Sequence, residues 1–279
     1  MSDRQRSQRA ARPHRWVTEE PSIPFGMTVL YEDERIIVVD KPHFLATMPR
    51  GMWYRQTALI RLREQYGEEA IVPAHRLDRL TAGVLVFVRD PACRGAYQML
   101  FQERRAMKTY ECLAPLAPVR RPRFGTVEWL EAPRPFPLLR RSRIVKNRGV
   151  LQAFEEPGVV NAETLIERDG LAGGASEGRG LAKYTLRPRT GKTHQLRVHM
   201  NSLGLPIAGD VFYPVLRPLR AWDDYSQPLQ LVARTLSFID PVTGAARSFR
   251  SRIPLGCVAP GPDDVDHDLN HASPLECCI

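Results

Sequence analysis

Long apolar runs are absent from this chain. Nowhere in its 279 residues do 18 apolar residues follow one another, so no segment reads as a membrane-spanning helix. Cysteine is scarce as well. Cys93, Cys112, Cys257, Cys277 and Cys278 are odd in number, and none stands in the CxxC spacing of a zinc or redox site; a reducing, cytoplasmic compartment is the expectation. The Arg-rich opening MSDRQRSQRAARPHRW lacks the apolar stretch of a secretory signal, and the closing ECCI carries Glu276 where prenylation requires cysteine. Lysine and arginine are missing after Arg252, while Asp263, Asp264, Asp266, Asp268 and Glu276 follow. The net charge of +9 therefore becomes 9 + 5 = +14 for the rest of the chain. A body so charged attracts a polyanion, of which nucleic acid is the commonest.

What is present organises into one large domain. Residues 1–24 read as a basic, disordered arm, residues 25–256 as a single domain and residues 257–279 as an acidic, flexible tail. Arg35 to Val39 is a short apolar run ended by Lys41-Pro42, which predicts a strand. Gln56 to Tyr66 places Ala58, Leu59, Leu62 and Tyr66 at helical spacing before Gly67. Val84 to Val88 predicts a buried strand, Pro91 to Arg104 a helix with proline in its first turn, and Thr109 to Leu113 a further strand. Ala162 to Arg168 and Leu181 to Leu186 read as a hairpin across the Gly-rich linker 170–180, which lacks the ending of a phosphate-binding loop. Thr193 is placed to cap a helix with Leu196, Met200 and Leu203 on one face, and Gln230 to Ile239 reads as the final strand. Strands and helices mix without strict alternation, so the fold class is α+β, a mixed and mainly antiparallel sheet with flanking helices.

Between residues 115 and 149 basic side chains crowd together: Arg120, Arg121, Arg123, Arg134, Arg140, Arg141, Arg143, Lys146 and Arg148 stand against only Glu128 and Glu131. With Phe124, Trp129 and Phe136 among them, the composition suits a projecting hairpin that touches phosphates and stacks on bases. The alternative is a proline-rich surface loop whose arginines face water.

The chemistry centres on HRLDRLTAG, residues 75–83, where Asp78 lies between Arg76 and Arg79 just before a buried strand. An isolated Asp flanked by arginines is usually a surface ion pair of little consequence. If the distant TGKTHQLRVH element met it in space, a cation such as Arg197 would hold Asp78 charged, as a nucleophilic carboxylate requires. No second catalytic carboxylate stands out, which argues against a glycosidase. His194 and His199 are five residues apart and do not share a helical face, so no metal site is expected.

These residues carry a family resemblance. HRLDRLTAG resembles the H-R-L-D-x-x-T-S-G motif of RluA-type RNA pseudouridine synthases. DERIIVVDKP (33–42) resembles the family's opening strand, Lys108-Thr109-Tyr110 its K-x-Y element and RTGKTHQLRVH its T-G-R-x-H-Q-I-R-x-H helix. GLPIAGDVFY (204–213) and LQLVARTLSFIDP (229–241) resemble the segments that follow. The resemblance implies a catalytic domain of that type isomerising uridine in ribosomal or transfer RNA. Asp78 would be the nucleophile, Tyr110 the aromatic wall against the target base and an aid in removing the C5 proton, and Arg197 the partner of Asp78. His75, Arg76, Arg79, Thr81, Lys108, Lys192, His194 and Gln195 would bind substrate. No metal or organic cofactor is implied, and a cytoplasmic monomer with RNA as its partner is expected. The N-terminal S4 module of many relatives is expected to be missing, which leaves substrate selection to the catalytic domain, the basic 115–149 segment and the arm. Ala82, Lys192, His43-Phe44 after Lys41-Pro42, and Arg234 depart from the usual pattern; none is one of the three central residues. The alternative is an RNA-binding protein of the same fold without activity. A base-releasing glycosidase would need a second acid.

Overall fold

The computed structural model describes residues 20–171, 180–217, 221 and 223–256. The basic arm up to residue 19, the heart of the Gly-rich linker and the acidic tail lie outside the described residues. The last residues assigned to the arm do not behave as one. Ile23 is buried, and the Glu20 carboxylate accepts the backbone N–H groups of Tyr54, Arg55 and Gln56.

Twelve strands form one sheet among the described residues. β1 (Thr28–Glu32) pairs with β2 (Ile36–Lys41), and β2 with β4 (Ala82–Val88), all antiparallel. The two-residue β3 (Val72–Pro73) also pairs with β4. Next comes β11 (Leu231–Ile239), whose start runs parallel to β4 through Val232 beside Ala82 and Ala233 beside Gly83. β5 (Met107–Pro115), β10 (Leu181–Pro188), β9 (Ala162–Leu171), β7 (Leu138–Val145) and β6 (Thr126–Trp129) continue the order antiparallel, with β8 (Phe154–Glu156) on β7. The expected final strand is not the last one. β12 (Ala246–Arg250) turns back on the second half of β11, and its alternation of exposed and half-buried positions hides it from a search for apolar runs.

β2 and β4 are buried on both faces, which explains their continuous apolar character. α1 (Ala58–Tyr66) covers one face, packing Leu59 and Leu62 near Ile37, Val39, Leu85 and Phe87. Thr57 caps its start and Gly67, at φ 69°, ends it. A 3-10 turn over Pro91–Cys93 leads into α2 (Arg94–Gln102), which lays Tyr97 and Leu100 on the opposite face. α3 (Gln195–Ser202) packs Leu196 and Met200 on Leu138, Ile166 and Leu186 from the other half of the sheet. Thr193 does not cap this helix. The cap position belongs to His194, in the left-handed region at φ 56°, with no side-chain cap bond.

Gly83 shows why the motif ends in glycine. Its φ is +114°, and a Cβ there would land on the Ala233 backbone of β11. The close approach of β11 to the start of β4 brings two distant segments together behind the turn that carries Asp78.

The basic segment is a hairpin, β6 and β7, and four of its nine cations are spent on ion pairs within the protein. Arg140 is fully buried against Glu155 and the Phe124 and Thr126 carbonyls. Arg141 pairs with Glu128 and Glu163, Arg143 with Glu156, and Arg134 with Glu131. Glu155, Glu156 and Glu163 lie later in the chain, so a count restricted to residues 115–149 overstates the free positive charge.

Candidate active site

Asp78 sits in the turn that opens into β4, and the loop after β2 fixes that turn atom by atom. Thr47 Oγ1 donates to the Leu77 carbonyl at 2.8 Å and accepts from the Leu77 N–H at 3.1 Å. Lys41 Nζ donates to the carbonyls of Leu45 at 2.7 Å, Pro42 at 3.0 Å and Arg79 at 3.4 Å. His43 Nδ1 lies 2.8 Å from the Leu80 carbonyl, and the Thr81 N–H closes the turn on the Asp78 carbonyl at 3.1 Å. Four consecutive carbonyls, from Leu77 to Leu80, thus have partners, and the Asp78 side chain is left 37% exposed to face outward. Burial pushes the Lys41 ammonium down to about 7, with the Asp78 charge opposing and Arg79 reinforcing the shift.

The groove over this turn has a volume of about 1690 Å³. Arg63, Arg76, Arg104, Lys108, Arg187, Arg189, Lys192 and Arg197 line it, and Asp78 is the one carboxylate among the lining residues. Tyr110, on β5 opposite Ala233 and Leu186, forms part of the wall beside Asp78. Burial, and then the Asp78 charge, push the Tyr110 phenol well above its ordinary value, so it stays protonated at neutral pH.

Arg197 does approach Asp78, with Nη1 4.0 Å from Oδ2, but its main partner is Asp210. Nε and Nη2 make a bidentate pair with the Asp210 carboxylate at 2.7 and 2.6 Å. Asp210 also accepts the N–H groups of Phe212 and Tyr213 at 2.8 and 3.2 Å. Burial weakens the Arg197 charge, yet the hydrogen bonds and charge of Asp210 more than offset it and raise its pKa. The guanidinium lies over the rings of Phe212 and Tyr213, 4.8 and 5.4 Å from their centroids. Gly209 makes the preceding turn possible: at φ +73° it lies where a Cβ would meet the Pro228 carbonyl.

The other anticipated residues divide. Arg76 is exposed and lines the groove. Arg79, expected as a substrate contact, turns back into the protein, over the Trp53 ring at 5.2 Å and onto the Phe44 carbonyl at 3.3 Å. His75 lines the groove but accepts the Val86 N–H at 3.3 Å and stacks on Phe101 at 4.3 Å; burial, then Lys108, push it down to about 3. Its Nε2 is thereby engaged within the protein. Gln195 lines the groove and is likewise bonded within the protein. Its oxygen accepts from Thr190 Oγ1 and the Lys192 N–H, and its nitrogen donates to the Glu163 carbonyl and Thr164 Oγ1, so it pins the 189–194 loop to β9. Lys192 is exposed at the groove's lip, Thr81 is buried at its floor, and Lys108 lies in the wall beside Phe101. His194 reaches Asp78, with Nε2 3.9 Å from Oδ2. His199 is core: its ring nitrogens bond Ser142 and Thr164.

Asp210, Thr47 and Tyr213 were not anticipated. Asp210 left a signal in the sequence: a lone acid inside GLPIAGDVFY, an otherwise apolar stretch, requires a buried cation. Arg234 is likewise buried. It bulges from β11 to bind Glu111 at 2.7 Å and the Ser251 and Ile253 carbonyls.

The family model for RNA pseudouridylate synthase matches residues 35–202. The dual-specificity RNA pseudouridine synthase RluA of Vibrio vulnificus is 33% identical over 226 residues, covering 79% of this chain and 80% of that protein. The protein of the same name from Haemophilus influenzae is 28% identical over 242 residues, covering 83% and 95%. Among solved structures, human RNA pseudouridylate synthase domain containing 1 superposes with a TM-score of 0.59 at 21% identity, over 88% of this chain and 95% of that one, a likeness of fold. This chain belongs to the RluA-type RNA pseudouridine synthase family: it is an isomerase that converts uridine to pseudouridine in RNA.

Proposed function

We propose that Asp78 is the nucleophile of this isomerisation and that the substrate is a specific uridine of ribosomal or transfer RNA. The observation that carries the reading is the lone groove carboxylate, held outward on a turn whose four carbonyls from Leu77 to Leu80 are all bonded, with Arg197 4.0 Å away. A basic groove draws in the RNA backbone, and the target nucleotide leaves its stack to reach Asp78. Of the three routes that need this carboxylate (attack at C1′, attack at C6, or a glycal), we adopt the first: the carboxylate bonds to C1′ as the N1–C1′ bond breaks, and the uracil leaves with the electron pair on N1. The ring turns, C5 bonds to C1′ and the carboxylate is released. N1 gains a proton and C5 loses one, so product and substrate have the same composition.

Tyr110 walls the base in this reading, and its raised pKa makes the protonated phenol its working form. Arg197, anchored by Asp210, keeps a positive charge beside the reacting carboxylate throughout. Arg76, Lys108 and Lys192 are the groove cations assigned to RNA contact, while Thr81 shapes the floor and His75 and Gln195 the wall. That the relatives are named dual-specificity RNA pseudouridine synthases supports more than one RNA substrate. A monomer acting in the cytoplasm, where these RNAs are found, is the working unit of this reading.

The test is tritium release from transcripts labelled at uridine C5, with transfer RNA and large-subunit ribosomal RNA offered separately. Release from either names the substrate class. Tight binding of both with no release would favour a binding protein of this fold.

A further inference from the structure

The hydroxyl of Tyr213 fixes the tautomer of His194. It donates to the Ala153 carbonyl at 2.7 Å and accepts the Ala153 N–H at 2.8 Å. A phenol has a single proton, so the third contact, to His194 Nδ1 at 3.1 Å, leaves the oxygen as acceptor and places the imidazole proton on Nδ1. Nε2 is then an unprotonated lone pair, and it faces the groove 3.9 Å from Asp78 Oδ2. Neither atom can donate to the other. The pair presents two acceptors side by side at the point where the ribose must sit.

The backbone supports the same placement. His194 is a non-glycine residue in the left-handed region at φ 56°, a conformation that costs energy and is retained where a side chain must be aimed. Its ring is held between Phe212 and Tyr213, at centroid distances of 5.4 and 5.9 Å. Burial pushes it down to about 4, with Arg197 contributing against the opposing charge of Asp78, so the ring stays neutral across the physiological range.

We infer that His194 Nε2 accepts a hydrogen bond from the 2′-hydroxyl of the target uridine and makes the site selective for ribose over deoxyribose. The inference rests on Asp78 acting at the ribose. The 2′-hydroxyl is borne by the carbon next to C1′, and it is the sugar donor nearest an acceptor beside a nucleophile directed at C1′. It is also the group by which a protein tells RNA from DNA.

The test is a cycle of two enzymes and two substrates. Wild type and His194→Phe are assayed on the RNA that releases tritium, with ribouridine or 2′-deoxyuridine at the modified position. Intrinsic effects of the missing hydroxyl on the glycosidic bond are common to both enzymes and cancel in the ratio. The deoxy substitution should lower kcat/KM about tenfold more for wild type than for His194→Phe, as expected for the loss of one hydrogen bond. His194→Gln, which keeps an acceptor, should restore part of the discrimination. Imidazole ¹⁵N shifts of wild type should show protonated Nδ1 and bare Nε2 at pH 7. Equal penalties in wild type and both variants, or a proton on Nε2, would overturn the inference while leaving the Asp78 reading intact. If His194 served as a general base, the variants would lose activity equally on both sugars, which also overturns it. No release by wild type from any RNA overturns the underlying reading and the inference with it.

Discussion

Replacing Asp210 with Asn removes one charge and little volume. The amide oxygen remains as an acceptor for the Phe212 and Tyr213 N–H groups, so the substitution isolates the ionic part of the Arg197 pair. The pair is buried at both ends, with 2% exposure for Arg197 and none for Asp210. Removing one partner of such a pair strands the other charge out of water, at a cost of about 3–5 kcal/mol. In a domain of this size each kcal/mol moves the midpoint by about 2–4 °C, so Asp210→Asn should lower Tm by roughly 6–20 °C. Asp78, 4.0 Å from Nη1, is the alternative carboxylate. An unanchored guanidinium should close on it and occupy the nucleophile, and activity should fall even well below the melting range. Differential scanning calorimetry and tritium release at 20 °C read the two effects separately. An Asp210→Asn protein with wild-type Tm would refute the reasoning, because Arg197 would then not depend on this anchor.

Two further outcomes follow from the charges. The Lys41 ammonium is lowered to about 7, whereas in the unfolded chain it titrates near 10.5. Between those values the unfolded state binds the extra proton, so the contribution of Lys41 to stability rises with pH across that window. Urea unfolding at pH 7 and pH 9 should show wild type gaining about 2 kcal/mol relative to Lys41→Met, at up to about 1.4 kcal/mol per pH unit; parallel pH profiles would contradict this. Arg76→Ala should reduce the log–log salt slope of RNA binding by about 1, while Arg143→Ala, whose guanidinium is committed to Glu156, should leave it unchanged. Equal changes in the two variants would mean that the β6–β7 hairpin grips the RNA as firmly as the groove does.

The strands β2, β4, β5, β9, β10 and β11 were legible because each carries an apolar or β-branched run, and α1 because Thr57 and Gly67 bracket an apolar spacing. β12 was not, since ARSFR alternates exposed and half-buried positions without an apolar run. Long-range charge pairing was the least legible. The hairpin arginines find acids 13 to 22 residues further on, and the Arg197 partner came from a segment whose role local pattern did not reveal. The motif around Asp78 was plain, but its support was not: Lys41, His43 and Thr47 reach the turn across 30 to 38 residues, and only the folded backbone shows which carbonyls they hold. Thr193 had the right chemistry for a cap. His194 took the place, aimed at Asp78 at the expense of backbone strain.

The most direct test of the central claim is Asp78→Asn assayed beside wild type on one labelled RNA, with Tm measured on the same preparations. Asp78 is 37% exposed and its nearest cation is anchored elsewhere, so the substitution should leave folding stability within about 1 kcal/mol. The account predicts an unchanged midpoint, retained RNA binding and no tritium release. Release at a rate near wild type from the Asn variant would show that the reaction does not pass through this carboxylate.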